Sequence, residues 1–107
     1  MATPEGEIKD AICRYLRTLA PDLWYYRAQG GAFGHPGVPD IVCCYRGRWV
    51  GLEVKTPTGR VSGFQTQCRE DVMSAGGVYE VVRSVDDVRK VLESLDRGGF
   101  APLRTFS

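Results

Sequence analysis

Residues 37–55, GVPDIVCCYRGRWVGLEVK, constrain this chain more than any other stretch. Two apolar runs rich in β-branched and aromatic residues are divided by Arg46-Gly47, a turn-forming pair. The pattern predicts two strands joined as an antiparallel hairpin. With a two-residue loop, Tyr45 faces Arg48 and, counting outward, Asp40 faces Glu53. A symmetric four-residue loop keeps that pairing, whereas a three-residue loop slips the register by one and separates the two acids.

Alternation along the strands then sorts the side chains. One face carries Ile41, Cys43, Tyr45, Arg48, Val50, Leu52 and Val54. The other carries Asp40, Val42, Cys44, Trp49, Gly51, Glu53 and Lys55, apolar near the turn and ionic at the open end. Directly opposed residues have Cβ atoms about 4.5–5.5 Å apart. Two carboxylates at that spacing repel, and burial makes each charge costlier. A hard dication answers both problems, because Mg²⁺ is commonly held by one or two carboxylates with waters and substrate phosphate. Lys55, two residues beyond Glu53, can orient a water or stabilise a developing oxyanion. The plainer alternative is a pair of solvated strand ends with Lys55 bound to one of them.

The rest of the chain supplies the frame. Thr3-Pro4 is an N-cap followed by proline at the first helical position, and Ile8, Ile12, Leu16 and Leu19 repeat at helical spacing up to Ala20-Pro21. LWYYRAQ (23–29) reads as a strand, and the glycine-rich 30–37 as a loop. Ser62-Gly-Phe-Gln65 is a capping-box pattern opening a helix that runs to Gly76-Gly77. Residues 78–82 form a strand, and Ser84 caps a last helix carrying Val85, Val88, Leu92 and Leu95. The order is α-β-β-β-α-β-α. The hairpin requires an antiparallel portion, and the crossover from strand 48–55 to strand 78–82 requires a parallel one. The expected fold is α/β, a mixed sheet flanked by helices, in one domain over residues 1–107 with a core at about 4–96. The tail from Arg97 is expected to be irregular.

Composition limits the alternatives. With 107 residues, 25% charged, and a net charge of +1, no strong field marks a nucleic-acid or membrane partner. No run is long enough to span a bilayer and no basic-then-apolar leader opens the chain, so a cytoplasmic location is expected. Cys13, Cys43, Cys44 and Cys68 form no Cys-x-x-Cys pair, and His35 is the only histidine, which argues against structural zinc. The cysteines are expected to be buried free thiols.

Pro39-Asp40 and Glu53-Val54-Lys55 together resemble the signature of the PD-(D/E)XK nuclease superfamily. YRAQGGAFGHPGVPDIV, GRWVGLEVKTPTGRVSGFQ and GGVYEVVRSVDDV, in that order, resemble segments of its VRR-NUC family, the virus-type replication-repair nucleases. The resemblance covers roughly residues 5–95. It implies a restriction-endonuclease-like core and phosphodiester hydrolysis in DNA with Mg²⁺ or Mn²⁺. Short stand-alone members look like phage or bacterial proteins and resemble Holliday-junction resolvases acting as homodimers. Branched or junction DNA and a second copy are therefore the implied partners. Flap or nicking nucleases, a non-catalytic branched-DNA-binding module, and a partner-binding subunit of a repair assembly are the competing readings.

By that resemblance Asp40, Glu53, Lys55 and Gln65 are the catalytic candidates, and Asp40, Glu53, the carbonyl of Val54 and a glutamate on the first helix the metal ligands. Glu5 shares the stripe of Ile8 and Ile12 and is preferred over Glu7, which aligns with Ala11 and Arg14, although both also suit the helix dipole. Gln65 is explained equally by its capping box. Arg27 and Gln29 match a family pattern at the site's edge, and Arg60 is a turn arginine suited to phosphate. His35 is not expected to bind metal. Tyr25, Tyr26 and Trp49 are expected to be buried rather than to stack on bases, and Phe64, Cys68 and Met73 to belong to the core.

Overall fold

The computed structural model describes residues 3–28 and 36–98. Gln29, His35 and the tail from residue 99 lie outside them. Helix α1 (Pro4–Arg17) starts as its sequence dictates: the Thr3 hydroxyl accepts from the Gly6 N–H at 2.9 Å, and Pro4 occupies a position where its missing N–H costs nothing. The helix stops three residues before the expected Ala20, where the Thr18 hydroxyl donates to the Tyr15 carbonyl at 2.6 Å. Strand β1 (Leu23–Arg27) follows, then β2 (Ile41–Tyr45) and β3 (Arg48–Val54). Between these two, Arg46 and Gly47 both have positive φ, 49° and 84°, the backbone of a two-residue hairpin turn. Tyr45 pairs with Arg48 and Ile41 with Leu52, the register read from the sequence.

Ser62 caps α2 (Gly63–Ser74) through a complete capping box, and Ser84 caps α3 (Val85–Asp96) after strand β4 (Val78–Val82). The sheet runs β1-β2-β3-β4, with β1 and β3 antiparallel to β2, and β4 parallel to β3. This is the expected mixed sheet flanked by three helices. Helices α1 and α3 share one face, where Ile12, Leu16, Ile41, Leu52, Val78 and Val88 are fully buried. Each such side chain contributes about 1.5–3 kcal/mol by leaving water.

Helix α2 lies over β4 on the other face, and this overturns several burial expectations. Its packing reaches Tyr79 and Gly77, but leaves the β1–β2 side without a covering helix among the described residues. Tyr26 and Trp49 are therefore 48% and 39% exposed instead of buried, and Cys44 is exposed as well. Phe64, at the second position of α2, is 68% exposed rather than core, whereas Cys68 one turn on is buried. Tyr25 points to the α1 side and packs against the core.

Candidate active site

The segment leading to Asp40 is pinned from three directions. Gly37 has φ 81° and lies so close to α2 that a Cβ there would sit 2.1 Å from the Phe64 carbonyl oxygen. Its own carbonyl accepts a 2.7 Å hydrogen bond from the buried Tyr79 hydroxyl. Pro39 is buried against Gly51, where a Cβ would come within 2.6 Å of the proline ring. Glycine at 51 thus makes room for the proline that precedes the acid.

Asp40 stands one residue before β2, at the open end of the hairpin. Its Oδ2 accepts from the Val54 N–H at 2.8 Å, and its Oδ1 lies 3.4 Å from Lys9 Nζ on α1. Glu53 is the one buried charged residue among those described, 4% exposed. Its Oε2 accepts from the Gln65 amide nitrogen and lies 3.5 Å from Lys55 Nζ. Its Oε1 is buried with no hydrogen-bond partner. Burial, then the charge of Asp40, pushes the Glu53 carboxyl up to about 7; Lys55 opposes this and Glu5 adds to it.

Those influences locate the candidates. Asp40, Glu53, Lys55 and Gln65 are brought together, and Glu5 is near enough for its charge to act on Glu53. Glu7 is exposed. Gln65 performs both tasks between which the sequence left a choice: its Oε1 accepts from the Ser62 N–H at 3.0 Å, while its Nε2 donates to Glu53. Arg27 is not brought to the carboxylates. It pairs with Ile41 on the α1 side of the sheet, where its guanidinium binds Asp10 at 2.6 Å. Arg60 is exposed beyond the turn that follows Lys55. Gln29 and His35 lie outside the described residues.

Three contributors were missed in the sequence. Lys9 carried a usable signal, since it lies one helical turn beyond Glu5 and beside Ile8 and Ile12 on the inward stripe. Tyr79 alternates with the core valines of β4, so it had to face the other side of the sheet. Arg83 carried no signal: its Nη1 donates to the carbonyls of Thr56 and Gly59 at 2.6 and 2.8 Å, holding the turn after Lys55.

Among the described residues, no three His, Cys, Asp or Glu side chains are gathered as a ready-made metal cage. Lys9 and Lys55 supply the positive charge next to the two carboxylates. The buried, unpartnered Oε1 of Glu53 is nevertheless an uncompensated acceptor, and it fits a hard cation with oxygen ligands.

No family model matches the sequence, and no curated protein does. Solved structures do. A structure described as a VRR_NUC domain superposes with a TM-score of 0.70 at 23% identity, covering 86% of this chain and 97% of its own. A second, described as a VRR_NUC domain protein, gives 0.69 at 14% identity, with 91% of each chain covered. The chain has the fold of these VRR-NUC domains, a mixed four-stranded sheet flanked by three helices. No helix among the described residues is long and apolar enough to cross a membrane.

Proposed function

We propose that this protein is a nuclease of the VRR-NUC type, hydrolysing phosphodiester bonds in DNA with Mg²⁺ or Mn²⁺. One observation carries the reading: Glu53 is buried beside Asp40 and Lys55 with one carboxylate oxygen unpartnered. A purely structural glutamate that deeply buried would be paired at both oxygens or replaced by an apolar residue. Asp40, Glu53 and the carbonyl of Val54, whose N–H already faces Asp40, would hold the dication, with Glu5 adding a ligand from α1 directly or through water. When bound, such an ion stabilises charge on the scissile phosphate and lowers the pKa of a coordinated water.

The protein's own groups do the rest. Lys55, held against Glu53, orients a water and offers a positive charge to the phosphate. Gln65 fixes the Glu53 carboxylate from the rigid first turn of α2. Lys9 holds Asp40 until substrate and cation arrive. Branched DNA and a homodimer are part of this proposal: two symmetric copies would present two sites to two strands, as junction resolution requires. Arg60 would meet the phosphate backbone.

The test is cleavage of a labelled four-way junction, a flap, a single strand and a duplex, with Mg²⁺ or Mn²⁺ and with chelator. Cutting should require the metal and vanish in Asp40→Ala and Glu53→Ala. Cutting that survives both chelator and Asp40→Ala would reject the mechanism. Metal-independent binding to the junction without cleavage would favour the non-catalytic module, and the product pattern separates resolvase from flap or nicking nuclease.

A further inference from the structure

The face of the sheet that carries Glu53 also carries exposed aromatic rings. Strand pairing places Trp24, Cys44 and Trp49 in one row and Tyr26, Val42 and Gly51 in the next. The Ala28 N–H donates to the Asp40 carbonyl at 2.8 Å, which continues the same ladder into the site. Rows two residues apart are about 7 Å apart, so Tyr26 stands about 7 Å and Trp24 about 13 Å along the strands from the row of Asp40. Trp24 is 63% exposed and Tyr26 48%. Phe64, which precedes the Gln65 that touches the Glu53 carboxylate, is 68% exposed as well.

Chemistry selects what would cover them. The rows of Trp24 and Tyr26 contain no charged side chain, and positive charge stands at the site end, in Lys55 and the exposed Arg60. That division suits a nucleic-acid strand, with uncharged π-faces for bases and cations for phosphates. The Trp24 and Tyr26 rings are 5.6 Å apart and inclined at 50°, so they are not stacked face to face on each other. A base in an intact duplex is already stacked and cannot use such faces, whereas an unpaired base can. A second copy laid over the same rows would stand one row from Asp40 and close this approach to the site.

We infer that Trp24 and Tyr26 form a stacking platform for unpaired bases of the DNA strand whose phosphate enters at Asp40 and Glu53. The preferred substrate is then DNA with single-stranded or frayed character at the cut. The placement of the phosphate rests on the nuclease reading; the binding of bases does not.

The chain's two tryptophans, Trp24 and Trp49, both lie on this face, so tryptophan fluorescence, excited selectively over that of the tyrosines, reports on it. The protein is titrated in chelator with an oligothymidylate of about 20 nucleotides, longer than a typical single-strand site, and with a duplex of the same length. The single strand should quench the fluorescence and bind more tightly than the duplex. Trp24→Leu and Tyr26→Leu should each weaken single-strand binding about fivefold or more, with circular-dichroism melting unchanged because both rings are exposed. Equal binding of duplex, or variants that bind like the wild type, overturns the proposal. So does a fall in sedimentation mass from two copies to one with single-strand affinity unaltered, which assigns the rings to self-association. Metal-dependent cleavage by the wild type is scored separately. Cleavage without quenching removes the platform and leaves the nuclease, and quenching without cleavage does the reverse.

Discussion

Asp40 accepts a hydrogen bond at 2.8 Å from the backbone N–H of Val54, so the first acid is held by the strand that carries the second. The bond closes only when the hairpin is in register, because a slip of one residue turns every side chain of β3 to the other face. Lys9 completes the arrangement from α1 at 3.4 Å. Sheet and helix therefore converge on one carboxylate, and its substitutions separate folding from chemistry.

Asp40→Asn keeps an oxygen for the Val54 N–H but loses the negative charge. It should melt near the wild type while metal-dependent cleavage of the junction falls by about a hundredfold or more, the scale expected for losing charge stabilisation at a reacting centre. Asp40→Ala leaves the Val54 N–H without its acceptor and should also cost about 1–2 kcal/mol in urea unfolding. Equal stability of the two variants would show that the bond contributes nothing.

Glu53 predicts a pH dependence of folding. Its carboxyl lies at about 7 in the folded protein against an ordinary 4.5, chiefly through burial and then the charge of Asp40. The folded state therefore holds this proton more tightly than the unfolded chain does. The contribution to stability is full below 4.5, declines as the pH rises toward 7, and is lost above it. Glu53→Gln should flatten that slope and stabilise the protein at pH 8 by on the order of 2–3 kcal/mol in metal-free buffer. Added Mn²⁺ should raise the wild-type Tm more at pH 8 than at pH 5, since it selects the ionised form. A slope unchanged in Glu53→Gln would place the titration elsewhere.

Gln65→Glu isolates one of the two roles of that side chain. A glutamate at this position still completes the capping box with Ser62, but it sets a carboxylate where an amide nitrogen donates to Glu53. The variant should lose about 1–3 kcal/mol at pH 8, and most of the loss should be recovered near pH 5, where the pair shares a proton. Thermal melts at the two pH values read this directly, and a pH-independent loss would point to the cap instead.

The four cysteines should differ sharply toward a thiol reagent. Cys44 is exposed, while burial pushes the Cys43 thiol up to about 12 and raises those of Cys13 and Cys68. One thiol per chain should react quickly in the native protein and the rest only on unfolding. Cys44→Ser should remove the fast phase; a fast phase that persists would contradict the burial of the other three.

What the sequence determined alone was everything that depends on residues close in the chain or on strand alternation. The caps at Thr3, Ser62 and Ser84 bond groups three residues away, and Arg46-Gly47 sets a turn whose register follows by counting. Asp40, Glu53 and Lys55 were legible for that reason. The tertiary structure alone decided what depends on approach between distant segments. Lys9 meets Asp40 and Tyr79 meets Gly37 only because the helices and β4 dock where they do. The exposure of Trp24, Tyr26 and Phe64 follows from α2 lying over β4, and no feature of those aromatic residues announces it. Burial, and with it the elevated proton affinity of Glu53, measures how much water the rest of the molecule excludes from a group, and that is set by packing rather than by residue type.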